Sequence, residues 1–407
     1  MTDTDAEAAD LAERVQSGDL RLHELEAHTD ADTAAAARRH LLESETGADL
    51  STSGEYAFDA ADAENAIENM VGATQVPLGI VGPIELDGWA AAEEAWLPLA
   101  TTEGALLASV NRGVSATRRA GGATARVLKS KMTRAPVFKV ADVAEAGEVV
   151  SWVREHEARL REAAESTTSH GELRDVTPYV VGDNVFLRFG YDTKDAMGMN
   201  MATIATQEAC EVVEAETPAS LVALSGNLCT DKKPAAINAV EGRGRTVSAD
   251  VEIPREVVES VFKTTPEAMV EANTRKNLVG SAKAGSLGFN AQAANVVAAA
   301  FLALGQDIAQ VVEGSNAITT MDERDGSLYA SITLASLEVG TVGGGTKLPT
   351  QAEALDVVGV RGGGDPAGSN ADALAEIIAV AALGGELSLV GALSASHLAS
   401  AHEELGR

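Results

Sequence analysis

Residues 376 to 400, EIIAVAALGGELSLVGALSASHLAS, and residues 291 to 312 read as helices that are apolar nearly all the way round. A helix without a polar face has to be enclosed, so these segments form the core of the larger part of the fold. Enclosing them takes a chain of some size, and 407 residues suffice for two or three domains. Asn290, Gln292, Asn295 and Gly305 interrupt the longest such run, whereas a membrane span takes about 20 mainly apolar residues; buried helices and no membrane are expected.

Around this core the texture varies. Residues 1–65 alternate short apolar clusters with charged residues, as in LAERV and AAAARRHLLE, which predicts a helical N-terminal domain. VPLGIVGPIELDG, with Pro77 and Pro83, predicts extended chain and turns, and AAEEAWLPLA a strand. TTEGALLASVNRGVSATRRAGG predicts a helix opening at Thr101 or Thr102 and closing at Gly121 and Gly122, with Glu103 in its first turn. Residues 136–223 combine a charged helix, alternating strands and a further helix, a compact insertion that divides a large domain of residues 66–135 and 224–407. The predicted class is α+β.

The formal net charge is −30, from 61 Asp plus Glu against 31 Lys plus Arg, and the pI is near 4.5. That balance excludes nucleic acid as an expected partner and suits a salt-rich cytosol, where screening moderates self-repulsion. Two cysteines, Cys210 and Cys229, make no disulfide framework, and MTDTDAEAAD lacks a secretory pattern, so cytoplasmic residence is expected. One segment departs from the acidic background: Gly104 to Ala141 holds no Asp or Glu and eight Lys or Arg. Such an island meets a bound anion or is balanced by acidic neighbours elsewhere in the fold.

Several constellations carry chemistry. In SGNLCTDKKPAAIN, Lys232 and Lys233 stand just before Pro234, where a helix would begin; two ammoniums there suggest a bound carboxylate or a developing oxyanion. Asp307 is the first acid after a long acid-free apolar stretch, read as a helix, and needs a partner such as Lys232 or Lys276. GTVGGGT (Gly340 to Thr346) lets backbone amides approach phosphates, but Lys347 follows Thr346 in the reverse of the Walker order, and no GxGxxG opens a helix, so neither a P-loop nor a Rossmann fold is predicted. His397 and His402 are five apart and do not share a helix face; with no HExxH or CxxC present, no metal is expected.

Taken in order, ENMVG, VPLGIVGP, TTEGALLASVNRG, SGNLCTDKKPAAIN, RKNLVGSA, GQDIAQ, GTVGGGT and HLASAH resemble 3-hydroxy-3-methylglutaryl-CoA reductase, in its NADPH-using class I form reduced to the soluble catalytic portion. The resemblance implies a large domain around a long central helix, a small ferredoxin-like insertion that binds the nucleotide, and a homodimer or dimer of dimers with its sites across the interface. It implies reduction of 3-hydroxy-3-methylglutaryl-CoA to mevalonate, with Lys232 as oxyanion stabiliser, Glu103 as proton donor, Asp307 as the link between them and His402 protonating the CoA thiolate. Arg134, Ser225, Asp231, Lys233, Lys276 and Asn295 match substrate positions, and Glu68, Asn69, Ser109, Asn111 and Arg112 match CoA positions. Ser169, His170, Asp195, Met197, Gly198, Met199, Asn200, Gly343 and Gly344 match nucleotide positions. His170 stands where the pattern often has Arg, one glycine is missing before Phe289, and Gln292 replaces a usual His. The resemblance places a phosphorylatable serine of some relatives after His402; with Arg407 the last residue here, regulation by that route is not expected. The competing readings are a CoA-binding protein without catalysis, a P-loop-like phosphotransferase, and the same fold oxidising mevalonate with NAD.

Overall fold

The computed structural model describes residues 3–405, with side chains from 5 to 395. Its strands are β1 (Leu78–Asp87), β2 (Glu94–Ala100), β3 (Ala123–Arg134), β4 (Val137–Lys139), β5 (Glu172–Val181), β6 (Asn184–Asp192), β7 (Ser220–Ala223), β8 (Gly244–Ile253), β9 (Ala317–Arg324) and β10 (Ser327–Leu337). Their main order is β7-β4-β6-β3-β8-β10-β9; β1 joins β2 and β3, and β5 joins β6. β3 belongs to two sheets at once. Its residues Thr124 to Lys131 pair with β8, and Met132 to Arg134 pair with β6.

The sheet of β3, β8, β10 and β9 packs on the central helix, Ser369–Leu405. That helix is long and apolar enough to cross a membrane, yet most of its apolar stretch is buried inside the fold. Ile378, Val380, Leu383, Leu387 and Val390 are all fully enclosed, with Val296 and Phe301 of the apolar helix Ala293–Ala303 in the same cluster. The two acids on the buried part of the central helix explain themselves through hydrogen bonds, as enclosed carboxylates must. Glu376 accepts from the amides of Trp89, Ala90 and Ala91, closing the β1–β2 turn. Glu386 accepts from Ala291 and Gln292 ahead of the apolar helix, and from Thr319 Oγ1 at 2.8 Å.

A second cluster, with Met132, Phe138, Leu160, Phe189 and Val213 at its centre, lies between β4–β7 and three helices, Val143–Glu155, Glu157–Glu165 and Met199–Glu216. The elements run strand, helices, two strands, helix, strand, and the sheet order is β7-β4-β6-β5, all antiparallel. Near the N-terminus, Asp3–Ser17 and Ala31–Thr46 are helical and pack as a hairpin; Arg38 is buried there against Glu26 and Leu22 O.

The basic helix, Leu106–Arg119, begins later than the sequence suggests. Thr101 Oγ1 takes the Glu103 amide at 3.0 Å, and Ala105 enters the helix at φ 69°, so Glu103 sits in the preceding turn rather than the first helical one. Much of the basic island is neutralised within the fold: Arg118 meets Glu85, Arg126 meets Asp87, Lys129 meets Glu241 and Lys131 meets Asp175. The basic helix crosses the central helix at Gly113 and Gly384 so closely that a Cβ on Gly113 would stand 1.8 Å from Gly384 O. Two backbones at that spacing cannot yield as a side chain would, so Gly113→Ala is expected to cost about 3 kcal/mol or more, at or beyond the usual range for overpacking. Chemical unfolding of the variant checks this, and a loss under 1 kcal/mol would mean that the helices separate freely.

Candidate functional site

The turn from Ser225 to Ala235 leaves the junction of the two sheets, where the Gly226 amide donates to Ala135 O, and runs to the short helix Ala236–Glu241. Three non-glycine residues in it, Asn227, Thr230 and Lys232, hold left-handed φ values of 63°, 50° and 60°. Each costs on the order of 1 kcal/mol, so the surroundings must fix the turn. Lys232 Nζ lies 2.8 Å from Asp307 Oδ2. That hydrogen bond, helped by the charge of Asp307 and opposed by partial burial, pushes the Lys232 ammonium above its ordinary value and keeps it charged.

Asp307 has the partner its sequence context demands, but it is not on a helix. It caps the 3-10 turn Ile308–Gln310, accepting from Ala309 N at 3.1 Å, so part of its carboxylate is in reach of solvent and ligand. Asp231 Oδ1 is held by Gln310 Nε2 and by Arg243 Nη2, each at 3.1 Å. Lys233 Nζ turns back to Asp231 O at 2.8 Å and is otherwise exposed. Ser225 Oγ is 3.6 Å from Cys229 Sγ. Burial alone would raise the Cys229 thiol, but bonds from Ser225 and from the Asp231 and Ala135 amides outweigh it and lower it. Arg134, at the end of β3, is partly buried and its Nε makes no hydrogen bond.

Glu103 is elsewhere. Its Oε1 accepts from Asn295 Nδ2 at 3.2 Å, in the first turn of the apolar helix, while Asp307 follows the other end of that helix. Eleven residues of helix separate the ends by about 16 Å. Among the described residues, no hydrogen bond or ion pair links Glu103 to Lys232 or Asp307, so within one chain Asp307 does not bridge the two. Lys276 is exposed on a π-helical stretch, Asn273–Gly280, bonded to Asn277 Oδ1 at 2.9 Å. The side chains of His397 and His402 lie outside the described residues.

On the basic helix, Ser109 Oγ and Arg112 Nε both reach Ser388 Oγ at 2.9 Å, and Asn111 ties β1 through Gly82 N and Ile80 O. Gln292 Nε2 bonds to Gly385 O of the central helix, giving that departure a structural task. Glu68 and Asn69 are exposed on a segment anchored by Arg38 to Met70 O and Arg39 to Val71 O.

The two glycine-bearing segments meet. Thr341 N donates to Asp195 O at 2.8 Å, Ala196 and Val342 form a parallel bridge, and a Cβ on Gly340 would stand 2.4 Å from Met197 N. At this junction the helix Met199–Glu216 opens from Gly198 (φ 90°) with no side-chain cap, Asn200 in its first turn, and nothing lies within 4 Å of a Cβ on Gly343 or Gly344. Free amides at a helix end beside open backbone make an anion-receiving surface. The loop of Ser169 and His170 adjoins it, since Gly171 packs on Met201. Asp195 itself faces inward: its carboxylate accepts from the amides of Gly364, Gly368 and Ala371, fixing the start of the central helix. Asp195→Ala leaves two buried amides, of Gly368 and Ala371, and the partly buried amide of Gly364 without their acceptor, and a loss of about 2–4 kcal/mol is expected from urea unfolding; an unchanged midpoint would show that the loop holds itself.

Sequence reasoning missed one group altogether. Arg243, fully buried behind the turn, lies 2.9 Å from Glu338, 3.3 Å from Glu313 and 3.1 Å from Asp231. Burial raises the Glu313 carboxyl, against the pull of the Lys232 amide and Arg243, and raises Glu338 further. A signal was present: Arg243 sits between Gly242 and Gly244, both left-handed, and a Cβ on Gly244 would meet Leu337 O at 2.7 Å. Among the described residues no group of three or more His, Cys, Asp or Glu side chains is placed to hold a metal ion.

Comparison with known proteins adds a family. The family model for hydroxymethylglutaryl-coenzyme A reductase matches residues 34–407. The chain is 74% identical over 407 residues to 3-hydroxy-3-methylglutaryl-coenzyme A reductase of Haloferax volcanii, covering 100% of both chains, and 71% identical over 402 residues to that of Halobacterium salinarum, covering 98% and 99%. Among solved structures, a Streptococcus pneumoniae class II reductase bound to NADPH aligns with TM-score 0.66 at 20% identity over 92% of this chain and 96% of that one. Another from the same organism gives 0.67 at 19% over 94% and 98%, so the fold is shared across a wide sequence distance.

Proposed function

The chain belongs to the hydroxymethylglutaryl-coenzyme A reductase family, and we propose that Lys232, Asp307, Glu103 and His402 carry its reaction, the four-electron reduction of 3-hydroxy-3-methylglutaryl-CoA to mevalonate and CoA with two NADPH and two protons. The observation that carries this reading is the Lys232–Asp307 pair at 2.8 Å on a strained turn. NADPH, when bound, supplies the hydride. The uncapped helix end at Gly198, the open backbone of Gly343 and Gly344, and the adjoining loop of Ser169 and His170 fit its phosphates.

The protein's own groups do the rest. Lys232, kept protonated by Asp307, faces the negative charge that grows on the thioester oxygen and later on the aldehyde oxygen; a fixed ammonium is worth most there. Glu103, held by Asn295, gives a proton toward the aldehyde stage. His402 protonates the departing thiolate. Arg134, Ser225, Asp231, Lys233, Lys276 and Asn295 bind the hydroxymethylglutaryl group; Glu68, Asn69, Ser109, Asn111 and Arg112 bind CoA. Two copies of the chain are needed, because Glu103 and Lys232 stand at opposite ends of one helix; each site joins the lysine end of one copy to the glutamate end of another. In this reading residues 136–223 are a ferredoxin-like nucleotide-binding domain, inserted between 66–135 and 224–407, with 1–65 a helical N-terminal domain. The free thiols of Cys210 and Cys229 support a cytoplasmic enzyme.

The test is oxidation of NADPH, and separately NADH, by the purified chain in high salt with 3-hydroxy-3-methylglutaryl-CoA, following free thiol. Two nucleotides consumed per thiol released is the expected result, and the ratio of the two cofactors reads the role of His170. Folded protein that consumes neither supports a CoA-binding protein without catalysis instead.

A further inference from the structure

The turn that carries Lys232 is held from behind as well as from the front. The Lys232 amide donates to Glu313 Oε1, a fully buried carboxylate 81 residues away. Glu313 is held in turn by Arg243, which also reaches Asp231, Gln310 and Glu338. The backbone at Lys232 is left-handed, and an acceptor buried beneath its amide is what can keep a lysine there. An arginine with three carboxylates is more than packing needs, and two of its partners lead to the same turn: Asp231 by side chain, Glu313 through the next amide.

We propose that Glu313 is a positioning residue for the reaction: by accepting the Lys232 amide, with Arg243 as its anchor, it fixes the ammonium opposite the place where the oxyanion forms. This rests on the role assigned to Lys232 above. Glu313 touches neither substrate nor nucleotide; it acts through the lysine backbone. Loss of the accepted bond lets the turn relax, and a shift of about 1 Å at a catalytic group costs on the order of 10²-fold in rate.

The test compares Glu313→Ala and Glu313→Gln in the full chain in high salt. Glutamine keeps an oxygen that accepts the same bond; alanine does not. The expected result is a kcat lowered about 10²-fold in E313A with KM for 3-hydroxy-3-methylglutaryl-CoA within about threefold, and a kcat within about tenfold of the parent in E313Q. Single-residue hydrogen exchange gives a readout apart from activity: the Lys232 amide is protected in the parent and E313Q, and exchanges at least about tenfold faster in E313A. An E313A kcat within threefold of the parent, or an E313Q kcat as low as that of E313A, overturns the proposal. If E313A does not fold, an unprotected Lys232 amide in the parent overturns it equally. A parent that oxidises no NADPH with this thioester defeats the functional reading, whereas amide protection still reports on the brace.

Discussion

Lys232→Ala is expected to lower turnover by roughly 10²–10³-fold, the usual cost of removing a main oxyanion-stabilising group, with CoA binding little changed. Glu103→Ala should be crippled as well. The more telling result comes from co-expressing the two. If every site takes its lysine from one copy and its glutamate from another, a mixed dimer holds one doubly damaged site and one intact site. Random pairing makes half the dimers mixed, so about a quarter of parental activity returns from two inactive chains. The outcome follows from the two-copy site proposed above, which rests on Glu103 being bonded to Asn295 at the start of the apolar helix while Asp307 with its lysine lies past the end. No recovery above the single variants, with mixed dimers isolated, would return both residues to one chain and remove the two-copy site.

The second large effect is on stability. Arg243→Met leaves Asp231, Glu313 and Glu338 without their cation, two of them fully buried, and breaking such a group from one side typically costs about 3–5 kcal/mol. The pH dependence follows from the direction of the shifts. Glu313 and Glu338 have carboxyls raised by burial, so from about pH 4.5 upward the folded chain holds protons that the unfolded chain has released. Where the folded state binds more protons, stability falls as pH rises, until the raised folded values are passed. Without the arginine both carboxyls rise further and the slope steepens. Urea unfolding in high salt at pH 5 and pH 8 should find the variant closer to the parent at pH 5. A loss under 1 kcal/mol at pH 8 would show that the carboxylates reach water or another cation.

What could be read from the chain follows the range of each interaction. The apolar helices were legible because their pattern is local, although the one expected over residues 291 to 312 ends at Ala303; so was the need of Asp307 for a lysine, since an acid beside such a stretch has few ways to be satisfied. Glu376 and Glu386 were not: each is spent on amides from segments brought near only by the fold. The start of the basic helix was misplaced because the Thr101 bond and the left-handed Ala105 overrule the ordinary signal of a threonine. Of the three carboxylates on Arg243 only Asp231 is near it in the chain; Glu313 and Glu338 are 70 and 95 residues away, so no window of sequence displays the group.

β3 runs unbroken from the large sheet into the small one, and the chain returns at Gly226, wedged against Val137 and Phe186. The two backbone crossings between the sheets, β3 and the segment at Gly226, thus lie side by side, where the Gly226 amide donates to Ala135 O. The return segment at Gly226 stands six residues before Lys232 in the chain. On the assignment proposed above, a displacement of the small sheet and a displacement of the turn that carries Lys232 are therefore linked through the backbone, by β3 on one side and the segment after Gly226 on the other.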